Sequence, residues 1–206
     1  MPTNFPCELI SWNEVHRLCR RLCRRLSKII HHSGYIPDVV IAIGRGGYIP
    51  ARLVCDYLDI MALTSIKIDH YLSGSEKQRE AIIRYPLCID ISNLNVLLID
   101  DVNDSGATLQ LAVDHIRSFQ PKAIRTSVMH NKQVTRYPVD YFARRIIKWR
   151  WIIYPWALHE DINAFIKRLS PPPMNLAEAR KNLVDIYGID LSLRKLREIT
   201  SCPTGN

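Results

Sequence analysis

Two adjacent carboxylates, Asp100 and Asp101, close an apolar run of Val96, Leu97, Leu98 and Ile99. Three residues further on, Asp104-Ser105-Gly106-Ala107-Thr108 opens a helical pattern. Successive residues of a strand point to opposite faces, so both acids reach one ligand only where the strand is ending. Vicinal ribose hydroxyls and a hydrated Mg²⁺ are natural partners for such a pair, because hard cations take oxygen ligands. The turn that follows supplies the complementary chemistry. Gly106 lets a ligand approach the backbone closely, and free N–H groups at a helix start favour a phosphate. Ser105 and Thr108 add hydroxyl donors. Acids for a sugar beside amides for its phosphate suit a ribose 5-phosphate.

A second glycine-bearing turn lies upstream. Residues 38–43 form a short apolar run, and Gly44-Arg45-Gly46-Gly47 breaks it. A diphosphate needs backbone that curls around it and a positive charge to balance it; the three glycines provide the first and Arg45 the second. Taken alone, the segment reads equally as a glycine-rich turn. Its place ahead of the acidic pair gives it meaning.

Residues 96–109 resemble the phosphoribosyl-pyrophosphate motif of type I phosphoribosyltransferases, in which an apolar strand and two acids precede Asp-Thr/Ser-Gly-x-Thr. Residues 43–52 resemble that family's pyrophosphate loop. The resemblance covers about residues 9–165 and is closest to the xanthine-guanine and hypoxanthine-guanine enzymes. It implies that Asp100 and Asp101 hold the ribose and Mg²⁺, and that Asp104, Ser105, Gly106, Ala107 and Thr108 hold the 5-phosphate. It gives the diphosphate to Gly44, Arg45, Gly46 and Gly47. In purine-using members the acid in the place of Asp104 lies near N7 of the base and assists proton transfer, which makes Asp104 the catalytic candidate. Lys132 would donate to the oxygen at C6, Trp151 would stack on the base, and the backbone of Ile152 would meet its C2 edge. A solvated loop lysine and an ordinary core aromatic are the plainer readings of Lys132 and Trp151.

Two positions depart from the pattern. Ala107 stands where many relatives have Lys, and Ala157 where close relatives have an acid that helps hold a second Mg²⁺; here Glu160 and Asp161 come only after His159. Residues 71–84 occupy the place of the family's lid, with Tyr71 and Ser73 as candidate diphosphate contacts. The expected activity is transfer of a 5-phosphoribosyl group from phosphoribosyl pyrophosphate to a 6-oxopurine, with Mg²⁺ as cofactor, in a homo-oligomer (dimer or tetramer). A non-catalytic sensor of phosphoribosyl pyrophosphate that binds nucleic acid, and a transferase with another acceptor, are the alternatives.

These side chains need a scaffold that recurs as strand, tight turn and helix. Helical spacing covers residues 11–32, with Ser11 as N-cap, and resumes at 48–58 and 107–119. Strand-like runs cover 38–43, 62–69, 95–99, 124–129, 139–142 and 151–154, with 71–84 as a polar loop or hairpin. The pattern predicts an α/β fold with a doubly wound, mainly parallel sheet, whose ligands sit outside the carboxyl ends of the strands. Residues 1–170 form the expected catalytic domain, with a small hood from about 1–12 and 132–165. After Pro171-Pro172-Pro173, residues 171–206 form a helical C-terminal extension with helices at 175–187 and 191–199 around Gly188.

Composition sets the outer limits. The chain has 206 residues, 47% of them hydrophobic, which suffices for one sizeable core. No apolar run is long enough to span a bilayer and the first residues do not read as a signal peptide, so a cytoplasmic protein without a membrane partner is expected. Six cysteines include no Cys-x-x-Cys pair, which argues against zinc and thioredoxin-like chemistry. The net charge of +8 suits anionic partners. Its densest cluster, residues 17–28, alternates with Leu18, Leu22 and Leu26 at helical spacing and reads as the wet face of an amphipathic helix. Nucleic acid is therefore not an expected partner.

Overall fold

The computed structural model of the chain describes residues 5–72 and 79–201. Its contacts divide it into two compact units, one of residues 15–148 and one combining residues 1–14 with 149–206.

The larger unit contains most of α1 (Trp12–Ser33), then β2 (Val39–Gly44), α2 (Tyr48–Leu58), β3 (Leu63–Leu72), β4 (Arg79–Tyr85), β5 (Asn95–Asn103), α3 (Ala107–Arg117), β6 (Ala123–Lys132) and β7 (Tyr141–Ile146). Six strands form one sheet in the order β4-β3-β2-β5-β6-β7. All neighbours are parallel except β4, which runs antiparallel to β3. Every residue of β2 is buried, as expected of a strand covered on both faces. On one face Ile41, Ile43, Leu98 and Val128 pack with Leu109, Val113 and Ile116 of α3. Alternation turns Met129 to the other face, where its sulfur lies 3.7 Å from Cys19 of α1. Helices thus cover both sides of the sheet. Serine 11 starts α1 as expected, its Oγ accepting from the Glu14 N–H at 3.2 Å.

The polar stretch expected as a loop or hairpin contributes β4, an edge strand; residues 73–78 lie outside the described residues. Residues 133–148, assigned from the sequence to the hood, belong by their contacts to the sheet unit. The reason is β7, which extends the sheet beyond β6, with Ser127 opposite Tyr141 and Lys132 opposite Ile146.

The smaller unit pairs β1 (Cys7–Leu9) with β8 (Trp151–Ile153) in parallel and adds α4 (Leu158–Arg168), α5 (Leu176–Tyr187) and α6 (Leu193–Ser201). Neither β1, only three residues long, nor α4 has a sequence-based expectation behind it. Asn175 caps α5 by accepting from the Glu178 N–H, and Gly188 ends it at φ 69°. The helices after the proline run share one core with α4: Phe165, Leu183, Tyr187, Leu196 and Ile199 are all buried with Phe5. The rings of Phe165 and Tyr187 stack at 4.8 Å.

One acid sits awkwardly in this unit. Burial pushes the Asp161 carboxyl from 3.8 up to about 6; the nearby Trp151 indole opposes the shift, Glu160 adds to it and Arg168 opposes it. The buried Trp151 Nε1 makes no hydrogen bond of regular geometry, so it offsets the burial only in part. A carboxyl raised in the folded state binds more protons there than in the unfolded chain, so its cost is present above the folded value and fades as pH falls from about 6 toward 4. Asp161→Asn should raise the Tm at about pH 7.5 by several degrees, equivalent to about 1–3 kcal/mol. Most of that advantage should be gone near pH 4, and the rest should vanish below about pH 3, where the acid is neutral in both states. Parallel thermal melts of the two proteins across this range check it.

Candidate active site

The sheet's order makes the site. From β2 the chain crosses to β3 on one side, whereas from β5 it crosses to β6 and β7 on the other. Between β2 and β5 the direction of winding reverses, and a crevice opens beyond their carboxyl ends. Three neighbouring strands deliver their last residues there: β2 ends at Gly44, β5 carries Asp100 to Asn103, and β6 ends at Lys132.

The glycine turn packs directly against the acidic end of β5. A Cβ on Gly46 would collide with the Asp101 carboxylate, and one on Gly47 would lie 2.5 Å from the Ile99 carbonyl oxygen and 2.7 Å from that of Ile43. Only glycine permits this approach, so the phosphate-type loop and the acidic pair are in contact. The Gly44–Arg45 peptide is cis. Beside the turn, the Lys67 ammonium pairs with Asp69 at 2.5 Å. The Lys67 hydrogen bond, with weaker contributions from Arg84 and Arg45, holds the Asp69 carboxyl below its usual range. Three cations therefore gather on the turn's side of the crevice.

Asp100 is 8% exposed and Asp101 half-buried. Desolvation, then the charge of Asp101, raises the Asp100 carboxyl well above the usual range, although the Asp101 N–H donates to it at 2.9 Å. A cation would relieve both causes. Among the described residues no group of three or more His, Cys, Asp or Glu could hold a metal by itself. Two carboxylates fit a Mg²⁺ that keeps several waters and takes further oxygens from a substrate phosphate.

The turn after β5 is held from three directions. Gly106 has φ 95°, and a Cβ there would meet Tyr137. The Arg136 N–H donates to the Ser105 carbonyl at 3.1 Å. Buried Asn103 donates to Asn131 Oδ1 and to the Tyr137 carbonyl, both at 2.9 Å. Thr108 Oγ1 lies 2.9 Å from His70 Nε2 on β3. Lys132 reaches from the end of β6 to Asp104, Nζ to Oδ2 2.7 Å. Its side chain is 3% exposed, so the reading of a solvated loop lysine does not describe it. Desolvation lowers the Lys132 ammonium from its ordinary range, with Asp104 opposing.

The structure thus brings together residues 44–47, Asp100, Asp101, residues 104–108 and Lys132. Trp151 and Ile152 lie on β8 in the other unit. Trp151 is half-buried, its ring 6.3 Å from Phe5 and 6.4 Å from Phe165, and Ile152 is 8% exposed. Tyr71 falls in the backbone of β3, while Ser73 lies outside the described residues. Sequence reasoning missed Asn103, His70, Lys67 and Arg136. Asn103 sits inside the quoted motif and could have been singled out; the other three lie on separate strands or turns, with no local pattern to mark them.

A family model described as "Phosphoribosyl transferase domain" matches residues 11–162. Over 71% of its length the chain is 34% identical to a xanthine-guanine phosphoribosyltransferase of Ruegeria sp. (strain TM1040), covering 83% of that protein. It is 29% identical to a hypoxanthine-guanine phosphoribosyltransferase of Saccharomyces cerevisiae, over 72% of the chain and 85% of that relative. The crystal structure of a purine phosphoribosyltransferase from Pyrococcus horikoshii Ot3 superimposes with a TM-score of 0.62 at 28% identity, over 73% of this chain and 93% of that one.

The contacts at the glycine turn separate two substitutions. Gly47→Ala drives a methyl into two backbone carbonyls that cannot move independently, and should cost about 1–3 kcal/mol, several degrees of Tm. Gly46→Ala meets the end of a side chain, so its Tm should stay within about a degree of the parent while the Asp101 carboxylate is displaced. Thermal melts of the two variants check the order.

Proposed function

The chain belongs to the phosphoribosyl transferase family, and from that premise we propose that it transfers the 5-phosphoribosyl group of phosphoribosyl pyrophosphate to a 6-oxopurine: guanine, hypoxanthine or xanthine. The bond from C1 to the diphosphate oxygen breaks, a bond from C1 to a purine ring nitrogen forms, and a nucleoside 5′-monophosphate leaves with diphosphate. The observation that carries the reading is the ion pair between Lys132 and Asp104, standing at the head of the phosphate turn and one strand-end away from the acidic pair.

The roles follow from the chemistry of each group. Amides of residues 104–108, with the Ser105 and Thr108 hydroxyls, take the 5-phosphate, so that binding energy far from the reacting bond fixes the position of C1. Asp100 and Asp101 accept from the ribose hydroxyls and are the residues that would hold Mg²⁺. When bound, that ion supplies positive charge to the departing diphosphate. Arg45 and the amides of Gly46 and Gly47 do the same from the protein's side. The purine loses a proton as its nitrogen bonds to C1, and Asp104 is assigned to receive it. Lys132 is assigned to the oxygen at C6; its low solvent exposure strengthens a hydrogen bond made there. Trp151 and Ile152 are assigned to stacking and to the C2 edge. A cytoplasmic homo-oligomer, dimer or tetramer, completes the proposal from the family resemblance.

A screen of guanine, hypoxanthine, xanthine, adenine and uracil with phosphoribosyl pyrophosphate and Mg²⁺, following diphosphate release and the nucleotide product, tests the acceptor class. Turnover with 6-oxopurines and none with uracil is expected; the opposite preference overturns the proposal. In the same assay Asp104→Asn should lower kcat by about 10²–10⁴. The KM for phosphoribosyl pyrophosphate should change far less, because the substituted side chain acts on the base and the sugar's other contacts remain. An unchanged kcat removes Asp104 from proton transfer.

A further inference from the structure

The exposed face of α1 carries five arginines and one lysine: Arg17, Arg20, Arg21, Arg24, Arg25 and Lys28. At 3.6 residues per turn these six fall within an arc of about 140° and along about 16 Å of helix. The opposite face, Val15, Leu18, Cys19, Leu22, Cys23 and Leu26, is buried. No acid interrupts the stripe between residues 17 and 28. Arg20, Arg21, Arg24 and Lys28 make no ion pair among the described residues. Against a net charge of +8 for the whole chain, six positive charges on one stripe are a strong local concentration.

The stripe continues onto the sheet. Arg25 donates to the Phe142 carbonyl of β7, and the guanidinium groups of Arg25 and Arg145 each lie 5.3 Å from the centre of the Phe142 ring. Edge strand β7 thereby extends the positive surface with Arg145, and Lys148 follows it at the exposed end.

From this stripe, four of whose charges make no ion pair among the described residues, and its continuation across Phe142 we propose, against the expectation drawn from the sequence, that α1 and β7 form a docking surface for the phosphodiester backbone of a nucleic acid, distinct from the sheet-end crevice. Three observations select that partner. Five of the six groups are arginines, whose planar forks bind phosphate oxygens in pairs. The stripe holds no exposed apolar side chain to serve as the dry centre that a protein interface needs. The apolar face of α1 is spent on the domain's core and so cannot enter a bilayer. A second copy of the same face would meet like charge. The contacts are to phosphates, so binding carries little sequence preference and a steep salt dependence. The surface uses no residue assigned to catalysis, and the inference stands whether or not the proposed transferase activity holds.

Fluorescence anisotropy with labelled random-sequence duplex DNA and single-stranded RNA, each about 20 nucleotides long, tests this at rising salt. Phosphatidylserine vesicles and polyglutamate serve as the other polyanions. Duplex affinity should fall about 10²-fold from about 50 to about 200 mM salt, a log–log slope near −4. The triple variant Arg20→Gln/Arg21→Gln/Arg24→Gln should flatten that slope by about three while its Tm and its catalytic activity stay at the parent's values. No anisotropy change at the lowest salt, a variant with the parent's slope, or binding to vesicles or polyglutamate without binding to nucleic acid each overturns the proposal.

Discussion

An acid held out of water beside a second acid is unfavourable unless something positive is nearby, and the arrangement at the end of β5 is built around that difficulty. Asp100 is buried, its carboxyl raised by desolvation and by the neighbouring charge of Asp101. Each surrounding element answers the accumulated negative charge. The turn after β2 presses its glycines against Asp101 and Ile99 and carries Arg45; β3 contributes Lys67; β6 sends Lys132 to Asp104. The crevice is thus acidic along its middle strand and basic on both flanks. A ligand with hydroxyls beside the acids and a diphosphate on the side of the glycine turn matches that order of charge.

That match depends on chain topology more than on any one side chain. Parallel strands put all their carboxyl ends on one edge, and reversing direction between β2 and β5 opens a gap there without a loop having to be built for it. The glycines make the gap narrow. Where a Cβ would strike a backbone carbonyl, as at Gly47, the residue type is dictated by packing; where it would strike a carboxylate, as at Gly46, it is dictated by the site. One short segment therefore answers to the fold and to the chemistry together.

Local patterns made much of this legible before any coordinates. The apolar runs at 38–43 and 95–99, the helix at 48–58 and the cap at Ser11 are written in residues adjacent along the chain, and β2, β5, α2 and α1 follow them closely. Residues 44–47 and 100–108, which the structure brings together, are marked in the same local way. What stayed hidden depends on residues far apart in sequence. Strand β1 is too short to show a period and exists through its pairing with β8. Helix α4 carries its own apolar face, Ile162 and Phe165, but its N-cap position is Ala157, which makes no side-chain cap, so no local signal marks its start. The partnerships of Asp104 with Lys132 and of Thr108 with His70 join residues 28 and 38 positions apart. Composition could suggest such groups, but only the sheet order could pair them.

Charge is distributed by the same logic across the larger unit. In the crevice, Lys132 is buried and Lys67 half-buried, and each is matched to an acid, Asp104 and Asp69 respectively. Elsewhere Arg125 is matched to Asp140 at 2.8 Å. On α1 the pattern reverses: the cations are exposed, and four of them make no ion pair among the described residues. Exposed pairs contribute little to stability, so leaving these charges unpaired has little effect on the fold, and clustering them works against it through mutual repulsion. A surface kept in that state is explained by what it attracts from solution. Local matching keeps the field of the crevice short-ranged, whereas the four α1 cations that make no ion pair among the described residues act over a Debye length, about 8–10 Å at physiological salt. One unit therefore holds two electrostatic sites of different character: one tuned by contact, the other by accumulation.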